Sequence, residues 1–535
     1  MSVDAVVVGA GVNGLVTATL LARAGLKTLV LEKRDAVGGC AATGEVAPGF
    51  RCPTLAHTAA IDPRLVKTLD LVRYGLEILR SPALACAPSY DGAALVFWRD
   101  LPRAVEEIRR FSSNDADRYP RFLESFARIS SVLREVAAAT PPDIDDPGAA
   151  DLLQLLKTGR MFRALGKADA HRFLRWMPMP VADLASDWFE GEPLRATIAA
   201  GGVLGSFLGP RSGGSAAVLL WLGASEGHPL AAGWLAKGGP GAVSTALAAA
   251  AAAAGVQIRT GTDVARIEVI DETATGVTLA SGETISCRAV VSGIDPKRTL
   301  LGLVDPIALE PEVIRRLQNF RARGTLAKVN YAVASLPQFT ALAGRERGEV
   351  DAALSGRVRL ASNLDYIERA FDAAKYGLFS DEPWVELTIP SLVDSTLAPR
   401  DQHVVSAYVQ YAPFHLRNES WDAARDRLGD AVTRTIARYA PDFASTIVAR
   451  EVITPRDLEC RYGLTGGHIF HGELALDQLF VARPLLGWAR YATPIRHLFL
   501  CGSGTHPGTG LDGRSGATAA KEIVAAIRRS GERRP

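Results

Sequence analysis

The sequence lacks closely paired cysteines, a strong excess of charge and a long uninterrupted apolar run. Its 535 residues include six cysteines, and no two of them are separated by only two residues. A Cys-x-x-Cys pair would indicate a redox dithiol or half of a zinc site, so its absence argues against both. Scattered cysteines of this kind are typical of buried apolar thiols in a reducing compartment.

The charge balance and the apolar stretches exclude further classes of protein. The 60 basic and 58 acidic residues leave a net charge of +2, so no nucleic-acid partner is expected. The apolar stretch at 242–256 is too short to cross a bilayer, and the stretch at 203–222 is interrupted by glycines, Pro210 and Arg211. The first predicted strand begins too early for a leader peptide to precede it. We therefore expect a cytoplasmic protein, with peripheral contact to a membrane left open.

A glycine-rich turn follows the first predicted strand. Gly9, Gly11 and Gly14 have the spacing G-x-G-x-x-G, between a strand at 5–8 and a helix at 15–24. Gly9 permits a tight turn, Gly11 lets a pyrophosphate approach the backbone, and Gly14 lets helix and strand pack closely. The free N–H groups at the start of the helix favour a bound phosphate. This order of elements predicts a dinucleotide-binding unit.

The residues after the second strand favour FAD among the dinucleotides. The predicted strand at 26–31 ends at Glu32, about 20 residues after the glycines, where a carboxylate accepts hydrogen bonds from both ribose hydroxyls and repels the extra phosphate of NADP. Lys33 and the glycine pair Gly38 and Gly39 follow. A glycine pair at this point lets the chain fold back over the ADP half of a long, buried cofactor.

A second strand, glycine-rich turn and helix lie at the other end of the chain. The strand is predicted at 497–501 and the helix at 517–528. The helix N-terminus is suited to stabilise the negative charge of a reduced flavin. We expect roughly forty residues at each end to meet around one FAD molecule. Further candidates for contact with this cofactor are Val264, Gly502, Ser503 and Gly513.

These motifs resemble the phytoene desaturase-related FAD oxidoreductases. The resemblance includes K-G-G-P-G-A at 237–242, V-V-S-G-I-D-P at 290–296 and C-G-S-G-T-H-P-G at 501–508. The segments at 411–416 and 467–495 are similar to the subfamily called pyridine nucleotide-disulfide oxidoreductase domain-containing protein 2. The resemblance extends over essentially the whole chain.

The resemblance implies an α/β fold with a bipartite FAD-binding Rossmann-like domain of the amine oxidase and phytoene desaturase type, a mixed-sheet substrate domain and a helical lid. The basic and apolar segment at 152–184 suits either a lid over a cavity or a helix resting on a membrane. We also predict helices from Asp62 to about 74 and over 103–139. The expected division is 1–80, 236–300 and 490–535 for the FAD domain, 81–100 and 301–489 for the substrate domain, and 101–235 for the lid.

The C-terminal turn also contains the candidate catalytic residues. They are His506, Asp512 and Arg514. His506 could instead hydrogen-bond the loop, and the other two could cap the final helix. Covalent flavin attachment through His57, Cys501 or His506 stays open. His468 and His471, with Glu473 and Asp477 nearby, have a spacing found among metal ligands, but no metal is predicted because no further convincing ligand accompanies them.

The sequence favours a flavin enzyme without a second nucleotide. No further G-x-G-x-x-G follows a strand, so the electrons are expected to pass to oxygen or a quinone rather than to arrive from NADPH. The predicted reaction is hydride transfer to flavin N5 from a C–H or C–C bond of a lipophilic small molecule. Two alternatives remain: a flavin-dependent isomerase without net redox change, and an FAD-stabilised interaction protein at a membrane.

Replacement of Gly11 by valine tests the assignment of the glycine turn. The new side chain should occupy the space that the pyrophosphate needs, so Gly11→Val should purify without flavin. The measurement is flavin absorbance per mole of purified protein, and normal occupancy in the variant would contradict the assignment.

Overall fold

The computed structural model describes residues 3–58, 60–90, 92–230 and 233–532. Within them, two seven-stranded sheets and two short two-stranded sheets are surrounded by helices. The strands are β1 (Val3–Val8), β2 (Thr28–Leu31), β3 (Thr43–Ala47), β4 (Phe50–Pro53), β5 (Ile78–Leu79), β6 (Ala83–Pro88), β7 (Ala94–Trp98), β8 (Leu235–Ala236), β9 (Gln257–Arg259), β10 (Val264–Ile270), β11 (Thr273–Leu279), β12 (Thr284–Ser292), β13 (Leu326–Val333), β14 (Arg357–Leu360), β15 (Trp384–Thr388), β16 (His403–Gln410), β17 (Ile447–Ile453) and β18 (Leu498–Leu500).

The helices are α1 (Val12–Arg23), α2 (Pro63–Thr68), α3 (Leu101–Arg109), α4 (Ser113–Ala138), α5 (Ala149–Ala164), α6 (Gly166–Trp176), α7 (Val181–Trp188), α8 (Glu192–Ala200), α9 (Ser215–Gly223), α10 (Gly241–Ala253), α11 (Pro311–Asn319), α12 (Arg347–Leu354), α13 (Leu364–Lys375), α14 (Trp421–Ala437), α15 (Phe443–Thr446), α16 (Pro455–Tyr462) and α17 (Arg514–Glu532). Nine of the helices in the described ranges, α2 to α10, lie between β2 and β9 in the sequence. Short 3-10 or π turns occur at Arg298–Gly302, Pro306–Ala308, Thr340–Leu342, Pro390–Leu392, Ser395–Leu397, Thr465–Gly467, Leu476–Gln478 and Phe480–Ala482.

The first sheet contains a parallel layer of the Rossmann type. Its parallel strands are arranged in the order β9, β2, β1, β12, β18, with β1 at the centre. Strand β12 also pairs antiparallel with β11 through its first residues, which adds the β10–β11 hairpin to the sheet. A central parallel strand is covered on both faces and is therefore apolar almost throughout. In β1, Val7 packs with α1, α10 and α17, whereas Val6 packs with the hairpin and α11.

The two ends of the chain meet on one face of this sheet, as predicted. Helix α1 packs against α17, and the side chain of Asn13 connects them. Its amide nitrogen donates to the carbonyl of Gly510 (3.1 Å), and its oxygen accepts from the backbone N–H of Gly516 (3.3 Å). Thr17 Oγ1 donates to the carbonyl of Gly516 at 3.0 Å. The contact is close because Gly516 has no side chain.

The second sheet is mixed and has faces of different chemistry. Its order is β17, β13, β16, β15, β14, β6, β7, and β14 pairs with β6 in parallel. The face formed by residues such as Val329, Leu387 and Val405 is buried in the same apolar cluster as α13 and α14. The opposite face carries polar and charged side chains, which form part of the candidate site.

Two helix predictions were wrong in their lengths. The helix that begins at Asp62 and Pro63 ends at Thr68, because Asp70 has a left-handed backbone (φ 55°) that a helix does not accommodate. The segment at 103–139 forms two helices rather than one. Ser112 divides them, since its side chain accepts a hydrogen bond from the backbone N–H of Asp115 and so caps the second helix.

The predicted lid segment at 152–184 forms most of α5, all of α6 and the beginning of α7. Its leucines at 152, 153, 155, 156 and 174 are exposed. None of the helices in the described ranges is long and apolar enough to cross a membrane.

Substitution of Gly516 tests the contact between the chain ends. A Cβ at this position would lie 2.2 Å from the carbonyl oxygen of Asn13. Gly516→Ala should therefore lower the free energy of unfolding by about 3 kcal/mol, which urea denaturation can measure. The matched control is Gly159→Ala in α5, where no atom lies within 4 Å of the new Cβ. There helix propensity alone should raise stability by about 0.5–1 kcal/mol, and equal effects at both sites would contradict the prediction.

Candidate cofactor and substrate site

The glycine turn between β1 and α1 has the geometry of a phosphate cradle. Gly9 has a left-handed backbone (φ 96°), and a Cβ at Gly14 would lie 2.2 Å from the carbonyl oxygen of Gly9. At Gly11, by contrast, a Cβ would meet no atom within 4 Å. The turn therefore requires glycine at position 9 for its backbone conformation and at position 14 for close packing, and it leaves open space in front of Gly11.

Glu32 lies at the end of β2 beside this turn. Its carboxylate is buried and accepts from the backbone N–H groups of Ala10 (2.8 Å) and Arg34 (3.0 Å). Lys33 points elsewhere, because its ammonium group pairs with Asp263 at 2.8 Å on the surface. Val264 follows Asp263 and is buried at the start of β10. The backbone N–H of Thr262 donates to the carbonyl of Glu32 at 2.8 Å, so the start of β10 lies beside the end of β2.

The glycine pair Gly38 and Gly39 folds back over the turn between β1 and α1. The backbone N–H of Gly38 donates to the carbonyl of Ala10 at 2.8 Å. Both glycines have positive φ, and a Cβ at Gly39 would lie 3.5 Å from the Cα of Gly11. This close approach is the arrangement that the sequence predicted for a chain covering a dinucleotide.

The C-terminal glycines lie on the other side of the same region. A Cβ at Gly502 would lie 2.6 Å from the carbonyl oxygen of Gly293, so this position has no room for a side chain. Ser503 Oγ accepts from the backbone N–H of Gly510 at 3.0 Å and closes the loop. Gly513, with φ 77°, directly precedes α17. These residues place the N-terminus of α17 near α1.

A cavity of about 400 Å³ extends from this N-terminus to the polar face of the second sheet. Cys40, Ile61 and the residues at 509–512 line the end near the glycine-rich turns. Apolar side chains line much of the middle. They include Leu204, Leu219, Leu222, Leu230, Ile469 and Phe470. Its size is typical of a site for a small molecule or part of a cofactor.

The residues around the glycine turns fit a dinucleotide. The open space at Gly11, the start of α1 and the buried Glu32 lie in the order that diphosphate and ribose groups require. The cavity then begins beside Gly39, at Cys40, where the rest of an extended cofactor would continue. The residues of this region therefore fit a dinucleotide cofactor.

Asp512 and Arg514 line the cavity but are held by local partners. Asp512 accepts hydrogen bonds from Thr509 and from the backbone N–H of Arg514. Arg514 Nε donates to Asp62 Oδ2 at 2.6 Å, and Asp62 in turn caps α2. This buried pair joins α2 to the first turn of α17. Asp512 thus bonds the backbone at the start of α17, as the capping alternative predicted, and the catalytic role of both residues stays a prediction.

His506 is placed away from the cavity. Its Nε2 lies 3.0 Å from the carbonyl oxygen of Val136, and its ring contacts the edges of Trp221 and Phe480. Burial lowers the pKa of His506 to about 4, so its ring is neutral near pH 7. The hydrogen-bond partner lies in the last turn of α4 rather than in the glycine-rich loop, and His506 is not among the residues that line the cavity.

Sequence reasoning missed a row of polar side chains on the second sheet. Arg359, Glu386, Tyr408 and Lys328 lie on four neighbouring strands in direct register. Arg359 Nε lies 2.7 Å from Glu386 Oε2, and Arg357 lies 3.3 Å from the other carboxylate oxygen. The signal was the alternation of charged with apolar residues in segments such as R-V-R-L at 357–360.

His57 completes this cluster. Its ring stacks on Tyr408 with 3.6 Å between centroids, and its Nδ1 lies 3.9 Å from Glu386. Burial and the charges of Lys328 and Arg357 lower the pKa of His57 well below its ordinary value, so the imidazole is neutral. Burial also lowers the pKa of Lys328, whose Nζ donates to the carbonyl of Leu55 at 2.9 Å.

The residues with metal-like spacing have other partners. Glu473 pairs with Arg321 and Arg323, each at 3.0 Å, and Asp477 pairs with Arg321 at 2.6 Å. Both carboxylates therefore pair with arginines, which accounts for the acidic residues that follow His468 and His471 in the sequence.

Comparison with known proteins agrees with this geometry. Residues 7–70 match the family model described as an NAD(P)-binding Rossmann-like domain. The chain is 36% identical to the pyridine nucleotide-disulfide oxidoreductase domain-containing protein 2 of Rattus norvegicus, over 97% of this chain and 92% of the relative. It is 25% identical to the lycopene-forming phytoene desaturase of Paracoccus sp., over 97% and 96% of the two chains.

A solved structure shares the fold. Cyclohexylamine oxidase from Brevibacterium oxydans superposes with a TM-score of 0.58 at 17% identity, over 100% of both chains. The predicted fold class, a Rossmann-like domain combined with a mixed-sheet domain as in the amine oxidases, is confirmed.

Neutralising Glu386 tests the energetics of the polar row. Burial alone would raise the pKa of Glu386, but the charges of Arg357 and Arg359 outweigh it and lower that pKa. Glu386→Gln leaves two buried guanidiniums without a counter-charge, so the free energy of unfolding should fall by about 3–5 kcal/mol at pH 7. Because the folded-state pKa is lowered, the loss should be complete above the unfolded carboxyl pKa of about 4.3 and should shrink as the pH falls below it.

The control for this experiment is an exposed ion pair. Glu283 pairs with Arg259 on the surface at 2.7 Å. Glu283→Gln should leave the free energy of unfolding nearly unchanged, because solvent screens an exposed ion pair. Urea denaturation of both variants decides the matter, and similar small losses in both would show that the buried row contributes nothing special.

Proposed function

The chain belongs to the phytoene desaturase-related FAD oxidoreductases, in the family of pyridine nucleotide-disulfide oxidoreductase domain-containing protein 2, and from this premise we propose that it binds FAD and oxidises a C–H or C–C bond of a lipophilic small molecule. The single observation that carries the proposal is the cavity between the N-terminus of α17 and the second sheet. It begins at the glycine turns and continues along apolar walls.

The residues that would hold FAD follow from the site. Glu32 would face the ribose, the turn at Gly11 the diphosphate, and the first turn of α17 the flavin ring, where the helix N-terminus favours negative charge. When bound, FAD supplies an oxidant that accepts a hydride at N5. The Rossmann-like family match supports a dinucleotide, and the glycine pair at 38–39, which pairs with Gly11, favours FAD among the dinucleotides.

The side chains of the protein would orient the substrate and exclude water from the cavity. The leucines of α9, Leu219 and Leu222, and Phe470 line the cavity and exclude water from an apolar substrate. Holding a C–H bond in one orientation removes much of the entropic barrier to hydride transfer. The buried pair of Asp62 and Arg514 keeps α2 and α17 in a fixed relation at the cofactor end.

The electron acceptor is proposed to be oxygen or a quinone. A two-nucleotide reductase has a second glycine-rich turn after a strand. In this sequence the G-x-G-x-x-G turn that comes directly after a strand is at Gly9, while the run with the same spacing at 508–513 lies seven residues beyond β18 and faces the same cavity. The relative named as a phytoene desaturase supports a reaction that forms a C=C bond.

The test starts with the purified full chain. We expect a yellow protein that releases FAD, rather than FMN or NAD, when it is denatured. A panel of apolar alkenes should include compounds that bleach the flavin absorbance under anaerobic conditions without NADPH, and admitted oxygen or a quinone should restore the colour.

The outcomes separate the alternatives. A colourless protein that takes up no added FAD would refute the proposal. A product with unchanged mass, formed anaerobically and catalytically, would indicate an isomerase instead. Gly11→Val is the control protein, since it should show neither the absorbance nor the reaction.

A further inference from the structure

We propose that the substrate carries one anionic head group, a carboxylate or a phosphate ester, and that His57, Arg99 and Arg357 receive it. The inference rests on the proposed function, because it concerns the polar end of the same cavity. It adds a head group to a substrate that the apolar walls describe only as lipophilic.

A small recess adjoins the main cavity at these residues. The two cavities share His57, Thr58, Arg99, Gly233 and Arg357 in their linings. The recess has a volume of about 20 Å³. Since one water molecule needs about 10–15 Å³, there is room for one or two oxygen atoms but not for a chain. The two oxygen atoms of a carboxylate fit this space, whereas a phosphate would place one or two of its oxygens in the recess and the rest in the main cavity.

The recess contains buried polar atoms without partners. The side chain of His57 is 1% exposed, and within the described part of the chain neither of its ring nitrogens has a hydrogen-bond partner. The same holds for the buried Nε of Arg357. Buried polar atoms almost always have a partner in folded proteins. Three such atoms at one recess, of which Arg357 Nε and one nitrogen of the neutral imidazole are donors, indicate a partner that arrives with the ligand.

The charges around the recess favour an anion. Arg357 and Arg359 share the single carboxylate of Glu386, which leaves at least one positive charge uncompensated within this cluster. Arg99 donates to two carbonyl groups, those of Ser81 (2.7 Å) and Gly233 (2.9 Å), neither of which carries a charge. Guanidinium groups are well suited to bind carboxylate and phosphate oxygens.

The remaining carboxylates of the cavity are engaged elsewhere. Asp62 and Asp512 lie beside Arg514 at the cofactor end, at 2.6 and 3.7 Å. Glu226 lies nearer the recess: it accepts from the backbone N–H of Gly233, and its charge offsets part of the charge of Arg99, which leaves Arg357 as the main counter-charge for an anion. An amphipathic anion can therefore place its head group in the recess and its chain along the leucines.

The experiment uses the flavin-loaded full chain and three matched twelve-carbon probes: dodecanoate, dodecyl phosphate and dodecanol, each below its aggregation concentration. Binding is measured by calorimetry and by the change in flavin absorbance. At least one of the two anions should bind about tenfold to a hundredfold more tightly than the alcohol, as expected for hydrogen bonds to a charged group. The anion that binds more tightly identifies the head group.

Variants of Arg99 localise the effect. Arg99 is exposed at the rim of the recess, so Arg99→Gln should fold. It should lose most of the preference for the anion while its affinity for dodecanol stays unchanged, and Arg99→Lys should restore part of the preference. The matched control is Arg316→Gln, because Arg316 also donates to a carbonyl group, that of Leu486, on a distant helix.

Equal binding of the alcohol and both anions to the wild-type protein would overturn the inference. An unchanged preference in Arg99→Gln would overturn it too. Flavin content, measured first, separates this failure from failure of the proposed function: a protein that takes up no FAD refutes the oxidoreductase proposal, whereas calorimetry with the three probes still decides the head group.

Discussion

The rest of the site depends on the close contact between α1 and α17. Asn13 hydrogen-bonds the backbone on both sides of the C-terminal loop, and Gly516 allows the helix backbones to approach because it has no Cβ. Without this contact the glycine turn at one end of the chain and the turn at the other end would not line one region. A cofactor grip shared by both ends therefore requires backbone packing that glycine alone permits.

The second sheet meets a different constraint, since one of its faces is apolar and the other is charged. The apolar face packs against α13 and α14 and stabilises the sheet. The polar face buries Arg359 and Glu386, an ion pair whose desolvation offsets much of its attraction. Such a row is poor for stability alone, which is consistent with a role in the cavity that it lines.

Residues around His57 join the two halves of the molecule. The backbone N–H of His57 donates to the hydroxyl of Tyr408 on the second sheet at 3.1 Å, and Asp62, five residues later, pairs with Arg514 at the start of α17. One short segment thus contacts both the polar row and the cofactor end. The cavity takes its apolar walls from the helices and its charges from the strands.

The sequence by itself determined the local units, whereas the tertiary structure decided what faces the cavity. Gly9, Gly11 and Glu32 were predictable because the turn, the helix start and the strand end are encoded within one short segment. The row at Glu386 and the position of His506 were not, because both depend on strands and helices far apart in sequence that bury one side chain and expose another. Periodicity indicates which residues share a face, but only long-range packing decides what that face meets.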